Sequence, residues 1–559
     1  MTTGVEDSAR EMSERTWRIS AAVVIAVGAF LRLVYLTLVP LHHDEGVNGN
    51  FLVSLVRNGT YTYDPNNYHG PTLYYFAALI PWIARFLGGT SARDAYGLTT
   101  FNIRLVTVAF GIATIVLALM LRKRLGSIGA LSAAALIAIS PGAVYLSRYF
   151  IHESLFVFFT LGIIVAALKY YDTGAGVYLI LAAISTALMT ATKETWIING
   201  PVLLIALIVT TAYVWLRTKL RGRKSDQPEQ SGKLLERFGG PISVATVALM
   251  AFTVFIIVNV LFYSSFFTNY PKGVNDALLT LSLWRKRTVE HAHPWYQYAA
   301  WLFQEEGIVI VLAGIAAAIA VWRANNRLAV FLSLWSFGLL AAYSIAGMSI
   351  SRLISDLYNQ HTITQQTYKT PWIALNFIVP LALTGGYALD VFYRKLQEFE
   401  QPFFFLAPAI LITAFCGYQM YQLNFVHYDD DQYVYVYAHT RRETLVMLEQ
   451  IDKIANQMKT GYDTGVAIVS PEYWPLPWYF RDYKRVGYYG KVIPTSEPVI
   501  IGQTGQEEEI KATYGEQYQQ IDSSTLHDPR IFPDRDPGGS FSLRPGVDLL
   551  LYVRKDVKK

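Results

Sequence analysis

Apolar stretches of roughly 20 residues, the length that crosses the hydrocarbon core of a bilayer, recur along this chain. Hydrophobic residues occupy 53% of its 559 positions and charged residues only 16%, an apolar excess that a water-soluble core does not need. The sequence therefore predicts an all-α polytopic membrane protein with about eleven transmembrane helices. The stretches begin at Trp17, Ile103, Gly126, Ser154, Gly176, Ile197, Pro241, Glu306, Leu328, Pro371 and Pro402.

Lys and Arg mark four connections that fall on one side of the membrane if every stretch crosses it. These connections lie at 122–124, in a basic loop at 217–240, at 323–327 and at 394–395. Because short cytoplasmic loops are enriched in Lys and Arg, the leader 1–16 is predicted to be cytoplasmic and the carboxy terminus external. The first stretch has no small-residue cleavage site and is interpreted as a retained span. The net charge of +5 follows from this bias, so no nucleic-acid partner is predicted.

Residues 17–421 are predicted to form the membrane domain, and three of its connections are long external loops. These loops cover residues 41–102, 264–304 and 348–371. The first loop is long enough to suggest a function. Two interfacial helices are expected within it, from Asp44 to Asn58 and from Pro71 to Leu87.

Residues 422–559 are predicted to form a separate extracytoplasmic α/β domain of ordinary size. Thr440 and Glu443 have the spacing of a capping box that opens a helix. The aromatic segment 473–480 either stacks on sugar rings or packs within the protein, and the sequence leaves both open. Short apolar runs typical of strands lie at Val466–Val469, Pro498–Ile501 and Asp548–Val553.

Two imidazoles and two carboxylates directly follow the first stretch, in the order His42, His43, Asp44 and Glu45. Charge at this position is costly unless it is solvated or used. At a helix amino terminus the dipole and the unpaired N–H groups favour the ionised form of Asp44. We therefore expect Asp44 to act as a general base toward a hydroxyl acceptor. The alternative is that it only caps the helix.

A second charged cluster, Arg148, His152 and Glu153, joins the third and fourth stretches. Glu153 is expected to orient an acceptor or a metal ion, and Arg148 to pair with phosphate oxygens. An Arg148–Glu153 ion pair that fixes the turn is an equal alternative. At the next external turn, Lys193 either neutralises a leaving phosphate or pairs with Glu194.

Six histidines are predicted on the external side, and with Asp44, Glu45 and Glu153 they have the donor atoms for a divalent metal ion. Their spacing matches no compact metal motif, so the metal and its ligands stay unassigned. The cations at 285–287 break the charge rule and suggest an anionic ligand or a headgroup anchor. Cys416, the only cysteine, is expected to be buried. The histidines are His42, His43, His69, His152, His291 and His293.

The order of these motifs resembles the dolichyl-phosphate-mannose protein mannosyltransferase superfamily, whose members are membrane glycosyltransferases of the GT-C fold. The resemblance covers most of residues 17–400. Two later motifs, Val289–Trp295 and Tyr368–Trp372, are similar to a prokaryotic branch, the flippase-associated proteins of archaeal glycosylation. The motifs that match the superfamily are His43-Asp44-Glu45, His69-Gly70-Pro71, Ser147-Arg148-Tyr149 leading to Glu153, and Lys193 near Trp196.

This resemblance implies an inverting transferase in a prokaryotic cell membrane, with a polyprenyl-phosphate-linked sugar as donor and a protein or glycan as acceptor. It implies catalytic roles for Asp44, Glu45 and Glu153. Gly70-Pro71 stands where the mannosyltransferases have Pro-Pro, and their β-trefoil insertion is missing, which leaves the acceptor open. The residues implied in substrate binding are His43, His69, Arg148, His152, Lys193, His291, His293, Tyr368 and Lys369.

Two other functions stay open at this stage. A flippase or transporter of lipid-linked sugars predicts ionisable residues or broken helices near the bilayer midplane. A non-catalytic scaffold of a glycosylation pathway predicts that Asp44 is replaceable. The unusual charge of this chain lies at helix ends, which favours the transferase.

Overall fold

The computed structural model describes residues 12–67, 69–88, 97–220, 239–284, 291–348, 358, 366–523 and 539–558. The cations predicted to bind an anion at 285–287, and most of the 348–371 loop, lie outside these residues.

Helices dominate the first 426 residues. Nine of the described helices are long and apolar enough to cross a membrane, and a tenth span arises if the α5–α6 pair, bent by 60°, is counted. The remaining predicted stretch is α8, an apolar helix of 15 residues. Each of the predicted starts lies within one of these helices or, for Pro371 and Pro402, in the short 3-10 helix that directly precedes one, and the predicted fold class is confirmed. The helices are α1 Glu14–Leu33, α2 His43–Asn58, α3 Thr72–Phe86, α4 Thr100–Leu119, α5 Arg122–Ile139, α6 Pro141–Ser147, α7 Glu153–Thr173, α8 Gly176–Thr190, α9 Trp196–Leu220, α10 Gly240–Tyr263, α11 Lys272–Trp284, α12 Gln297–Arg323, α13 Arg327–Ile345, α14 Leu375–Glu398 and α15 Leu406–Tyr421.

The helices differ sharply in how far the protein encloses them. Within the apolar window of the span Pro371–Glu398, which contains α14, 94% of the residues are buried, and the span packs against α5, α12 and α13. By contrast, Ala251 is the one buried residue of α10, although this helix has the highest hydropathy of the nine. A helix that is apolar on all faces and uncovered by protein is suited to contact with lipid. The bundle therefore has a protein-enclosed centre and a lipid-facing edge.

The two helices of the first external loop form close to their predicted bounds. His42, rather than Asp44, is the N-cap of α2. Its ring accepts a hydrogen bond from the Asp44 amide, and Glu45 accepts one from the His42 amide, which completes a capping box. Gly59 ends the helix at a φ of 68°, a left-handed conformation that favours glycine. The side chain of Asp44 is therefore not used as the cap.

The C-terminal region carries a mixed six-stranded sheet in the order β4-β3-β5-β8-β6, with β7 also paired to β8. The β3–β4 and β3–β5 pairs are parallel, whereas β8 pairs antiparallel with β5, β6 and β7. Separate from this sheet, β1 and β2 form a two-stranded antiparallel pair. The strands are β1 Ala292–Pro294, β2 Gln366–Tyr368, β3 Gly465–Ile468, β4 Arg485–Tyr488, β5 Val499–Gln503, β6 Tyr518–Ile521, β7 Phe541–Arg544 and β8 Val547–Arg554, and the helices of this region are α16 Glu443–Gln457, α17 Leu476–Tyr479 and α18 Glu507–Tyr514.

Three of the strands coincide with the predicted apolar runs, but the predicted capping box is wrong. Helix α16 begins at Glu443 with Arg442 as its N-cap, and that cap makes no side-chain hydrogen bond. The Glu443 carboxylate instead accepts a hydrogen bond from the amide of Ser542 in β7, at 2.7 Å. This contact joins α16 to the sheet, a tertiary role that local spacing does not reveal.

Candidate active site

A cavity of about 790 Å³ lies where the long loop 41–102, the turns before α7 and α9, the end of α13 and the C-terminal region meet. Asp44, Glu153, Lys193 and Glu194 are among the charged residues that line it. Imidazoles, tyrosines and a tryptophan supply much of the rest. These lining residues include His42, His43, His69, His152, His291, Tyr298, Tyr343, Tyr368, Trp372 and Tyr437.

Asp44 reaches this cavity because His42 takes over the capping of α2. The His42 Nδ1 accepts a hydrogen bond from the Asp44 amide at 3.0 Å, and its Nε2 lies 3.2 Å from the carbonyl oxygen of Tyr437. A carbonyl only accepts, so Nε2 carries the proton and the ring is neutral. Burial lowers the pKa of His42 to about 3, which agrees with this tautomer. The Asp44 carboxylate is thus left for the cavity, with 38% of its side chain exposed.

The surroundings of Asp44 favour its ionised form. Burial by itself raises the pKa of this carboxyl, but its basic neighbours, which include the Lys193 ammonium, lower it, and the net shift is downward from 3.8. A carboxylate that is deprotonated at neutral pH and open to a cavity can accept a proton from a bound hydroxyl.

Glu45, predicted as a catalytic partner of Asp44, is fully buried and is not among the cavity-lining residues. Both of its oxygens accept hydrogen bonds from Arg104, at 2.8 and 2.7 Å. They also accept from the amides of His42 and Phe150. Apart from the capping contact with His42, these hydrogen bonds join α2 to α4 and to the turn before α7, so the contacts of Glu45 in this structure are structural and its catalytic role stays a prediction.

Glu153 and Lys193 do line the cavity, and they form a buried ion pair. Of the two alternatives for Glu153, pairing with Arg148 is thus replaced by pairing with Lys193. Glu194 accepts a hydrogen bond from His69 Nδ1 at 3.0 Å, and His69 and Lys193 hold its pKa below normal against the effect of burial. Lys193, the buried cation of this wall, is paired with Glu153, and Glu194 is a second carboxylate that lines the same cavity.

The segment His69-Gly70-Pro71 is joined to the same wall by backbone contacts. The Gly70 amide donates to the Thr192 carbonyl at 2.9 Å, and the His152 ring donates to the Gly70 carbonyl at 3.0 Å. A Cβ at position 70 would lie 2.0 Å from the Ala191 carbonyl oxygen, so the close approach requires glycine. This contact gives a physical reason for Gly70 where the superfamily has proline.

Three residues predicted to bind substrate are not among those that line the cavity. Arg148 is buried, and its guanidinium donates to the carbonyl oxygens of Leu31 and Tyr35 at 3.4 and 2.7 Å. Lys369 is fully buried near the Tyr298 ring, and burial lowers its pKa to about 8. His293 packs edge-on against Trp301. The three side chains contact other parts of the protein, and their roles in substrate binding stay predictions.

Two lining residues that the sequence analysis missed, Tyr437 and Arg544, come from the C-terminal region. The Arg544 guanidinium lies 3.5 Å from His43 Nδ1 and pairs with Glu472. Tyr437 contacts two histidines, His42 through its carbonyl and His291 through its hydroxyl. Nothing in the local sequence around 437 or 544 signals a site, because both are brought in by the fold of a distant segment.

In the part of the chain that the structure describes, no three His, Cys, Asp or Glu side chains come together in a way that could hold a metal ion. The histidines considered as ligands contact other groups instead, as His69 does with Glu194 and His152 with Gly70. We therefore derive no step from a metal.

Comparisons with known proteins agree with this architecture. Residues 69–221 match the family profile described as dolichyl-phosphate-mannose-protein mannosyltransferase. A comparison with curated proteins finds no match. The matched segment contains His69, Glu153 and Lys193 of the cavity wall.

Solved structures resemble the chain over most of its length. ArnT from Cupriavidus metallidurans bound to undecaprenyl phosphate superposes with a TM-score of 0.58 at 14% identity, covering 96% of this chain and 98% of that one. The archaeal oligosaccharyltransferase AglB from Archaeoglobus fulgidus, in complex with an inhibitory peptide and a dolichol-phosphate, superposes with a TM-score of 0.50 at 13% identity, covering 88% of this chain and 70% of that one. Identities this low establish a shared fold. The chain thus has the GT-C fold of these proteins and, through residues 69–221, matches the dolichyl-phosphate-mannose-protein mannosyltransferase family, as its motifs predict.

Proposed function

We propose that this multi-pass membrane protein is a glycosyltransferase that moves a sugar from a polyprenyl-phosphate carrier to a hydroxyl acceptor, with inversion at the anomeric carbon. The observation that carries the proposal is an ionised Asp44 on the wall of a cavity shared with a buried cation, Lys193. ArnT and AglB, which have this fold, were solved with polyprenyl phosphates, and this supports the donor class.

Asp44 is the proposed base. As the acceptor oxygen attacks the anomeric carbon, its proton passes to a carboxylate oxygen of Asp44. The bond between the anomeric carbon and the phosphate oxygen breaks, and the phosphate leaves with the electron pair. Attack opposite the leaving group inverts the anomeric centre.

Lys193 is the proposed electrostatic partner of the leaving phosphate. Negative charge on that phosphate grows as the bond breaks, and a fixed cation in a buried site stabilises it more than water does. Glu153 pairs with the Lys193 ammonium and holds it in place before the donor binds. A catalytic role of Glu153 is thus proposed to be indirect, through the position and charge of Lys193.

The orientation is part of the proposal. Loops rich in Lys and Arg are placed in the cytoplasm of a prokaryotic cell, which puts the leader 1–16 inside and the cavity and the α/β region 422–559 outside. A long apolar lipid then stays in the bilayer while its phosphate and sugar enter the cavity. The acceptor is a protein or a glycan that reaches the external face.

One observation bears on the transporter alternative. Glu306 is a buried carboxylate inside α12, at a residue with non-helical φ and ψ. One of its oxygens accepts from the Ser140 hydroxyl at 2.7 Å and from the Gly142 amide at 2.8 Å, at the α5–α6 bend. These contacts tie two helices together, so a structural role explains the residue and the transferase stays the favoured function.

The proposal is tested with purified wild type, Asp44→Asn and Glu153→Gln in nanodiscs, supplied with radiolabelled polyprenyl-phosphate sugar and cell extracts as the source of acceptor. Asp463→Asn is a matched control, because Asp463 is an exposed carboxylate paired only with Lys484 at the surface. We expect transfer by wild type and the control, and loss in Asp44→Asn. Equal transfer by wild type and Asp44→Asn would remove Asp44 from the mechanism.

A further inference from the structure

Each of the two imidazoles that precede Asp44 has one nitrogen in contact with the C-terminal region. His42 Nε2 contacts the carbonyl oxygen of Tyr437 at 3.2 Å, and His43 Nδ1 lies 3.5 Å from the Arg544 guanidinium. Arg544 ends β7 and is separated from His43 by 501 positions in the sequence. The C-terminal region therefore forms part of the cavity rather than lying apart from it.

These contacts define which nitrogen of each ring carries the proton. A guanidinium can only donate, so Nδ1 of His43 is an acceptor and its proton lies on Nε2. His42 has the same tautomer, because its Nδ1 accepts from the Asp44 amide. These contacts therefore favour the same tautomer in both rings, with Nδ1 as the acceptor and the proton on Nε2.

The charged groups that face His43 come from three elements. Asp44 belongs to its own helix, Arg544 to β7, and Glu472 to the segment after β3. Burial lowers the pKa of His43 and Arg544 lowers it further, while Asp44 and Glu472 raise it, with a net downward shift. Glu472 pairs with Arg544 and so holds the guanidinium at the edge of the cavity.

Close packing holds the C-terminal segment in this position. A Cβ at Gly46 would lie 2.5 Å from the Pro475 Cβ, and a Cβ at Gly49 would lie 2.5 Å from Trp478 Cε3. Two glycines one turn apart thus allow the segment 474–478 to lie directly on α2. The Trp474 ring then packs 6.1 Å from the His43 ring. This is packing of the aromatic segment within the protein, one of the two roles that its sequence allows.

We propose that Arg544 is a positioning residue of the transfer site, which holds His43 in its neutral, Nε2-protonated form beside the base Asp44. The inference rests on the proposed function. A positive charge on His43 would stabilise the Asp44 carboxylate and make it a weaker base. Arg544 prevents this, so correct seating of the C-terminal region sets the strength of the base.

The test is histidine-selective ¹⁵N NMR of the full chain in detergent micelles, with His43→Gln to assign the signal. Wild type is compared with Arg544→Gln, with Arg544→Lys and with the matched control Arg554→Gln, since Arg554 ends the neighbouring strand β8 and pairs with the exposed Asp556. We expect the pKa of His43 to rise by roughly one unit in Arg544→Gln. Arg544→Lys retains the charge and gives a smaller rise, and the control gives none. An unchanged His43 titration in both Arg544 variants would overturn the proposal.

The pH profile of sugar transfer supplies the second readout. In Arg544→Gln, the loss of activity at acid pH should move to higher pH, because His43 now takes up a proton. If the pKa of His43 rises in Arg544→Gln but the pH profile of sugar transfer does not change, the proposed role of Arg544 in transfer is wrong. If wild type transfers no sugar, the proposed function fails, and the NMR result still decides whether Arg544 sets the state of His43.

Discussion

Asp44 and Glu45 are neighbours in one helix, yet they belong to two different regions of the molecule. Asp44 lies on the cavity wall, the surface formed with Glu153, Lys193 and Glu194. Glu45 lies in the packed layer behind it, where every oxygen has a protein partner. A buried charge whose hydrogen bonds are all satisfied joins helices, whereas one that keeps a side open to a cavity is available for chemistry.

The arginines repeat this contrast. In the packed layer, Arg32 donates to the carbonyl oxygens of Gly28, Ile137 and Ala138, and Arg148 to those of Leu31 and Tyr35. Arg544, on the cavity wall, instead faces a histidine ring and a half-exposed carboxylate. Residue type alone therefore does not distinguish a functional cation from a structural one in a membrane protein. The groups to which each cation donates hydrogen bonds distinguish them.

The largest expected effect comes from neutralising Asp44, the neighbour that lies on the cavity wall. Asp44→Asn should lower the rate of sugar transfer by about 10²- to 10⁴-fold, the usual contribution of a general base. Its melting temperature should stay near that of wild type, because the side chain is partly exposed. Transfer assays and thermal melts on the same samples check both halves. Normal transfer, or a large loss of stability, would contradict the assignment of Asp44 to the cavity wall.

The second prediction concerns the packed layer. Glu45→Gln should destabilise the protein by about 3–5 kcal/mol, because it leaves the buried Arg104 without a charged partner. Replacing both residues by apolar ones should not restore stability, since the amides of His42 and Phe150 would remain unpaired. Denaturation in detergent gives the free energy of unfolding. A stable but inactive Glu45→Gln variant would return Glu45 to the catalytic group.

A third prediction concerns the dependence of folding stability on pH. Burial lowers the pKa of His42 to about 3 and that of His439 to about 4, well below the usual 6.5. Below pH 6.5 the unfolded chain binds protons at these sites that the folded chain does not, so stability falls as the pH falls. At pH 5 the loss is about 2 kcal/mol for each residue.

Melts between pH 7.5 and pH 5 measure this slope, and His439→Asn should flatten it. The absolute stability of the variant does not matter for this test. An identical slope in wild type and in His439→Asn would contradict the neutral, buried state of that ring.

The smallest expected effect is at the contact between α2 and the C-terminal segment 474–478. Gly49→Ala should cost about 1 kcal/mol, the low end for overpacking, because the Trp478 ring has to shift. Gly417→Ala is the control, since nothing lies within 4 Å of a Cβ built there. Melting temperatures of the two variants check this prediction. If Gly49→Ala is as stable as the control, the C-terminal segment does not pack tightly on α2.

Much of the fold could be predicted because it depends on local patterns. Apolar length located the spans, and the caps and glycines located the helices of the first external loop. Asp44 could be singled out because it follows a span and begins a helix. The structural contacts of Glu45 and Arg148 could not be predicted, because their partners Arg104, Leu31 and Tyr35 lie between 59 and 117 positions away in the sequence. The contribution of Arg544 depends on how a whole sheet docks, which no local pattern encodes.

The most direct test of the account is a cryo-EM structure of the full chain in nanodiscs with a non-transferable phosphonate analogue of a polyprenyl-phosphate sugar. We expect the sugar to occupy the cavity, with its anomeric carbon facing Asp44 and its phosphonate beside Lys193. A donor bound elsewhere, or a cavity in which Asp44 is screened from the anomeric carbon, would contradict it.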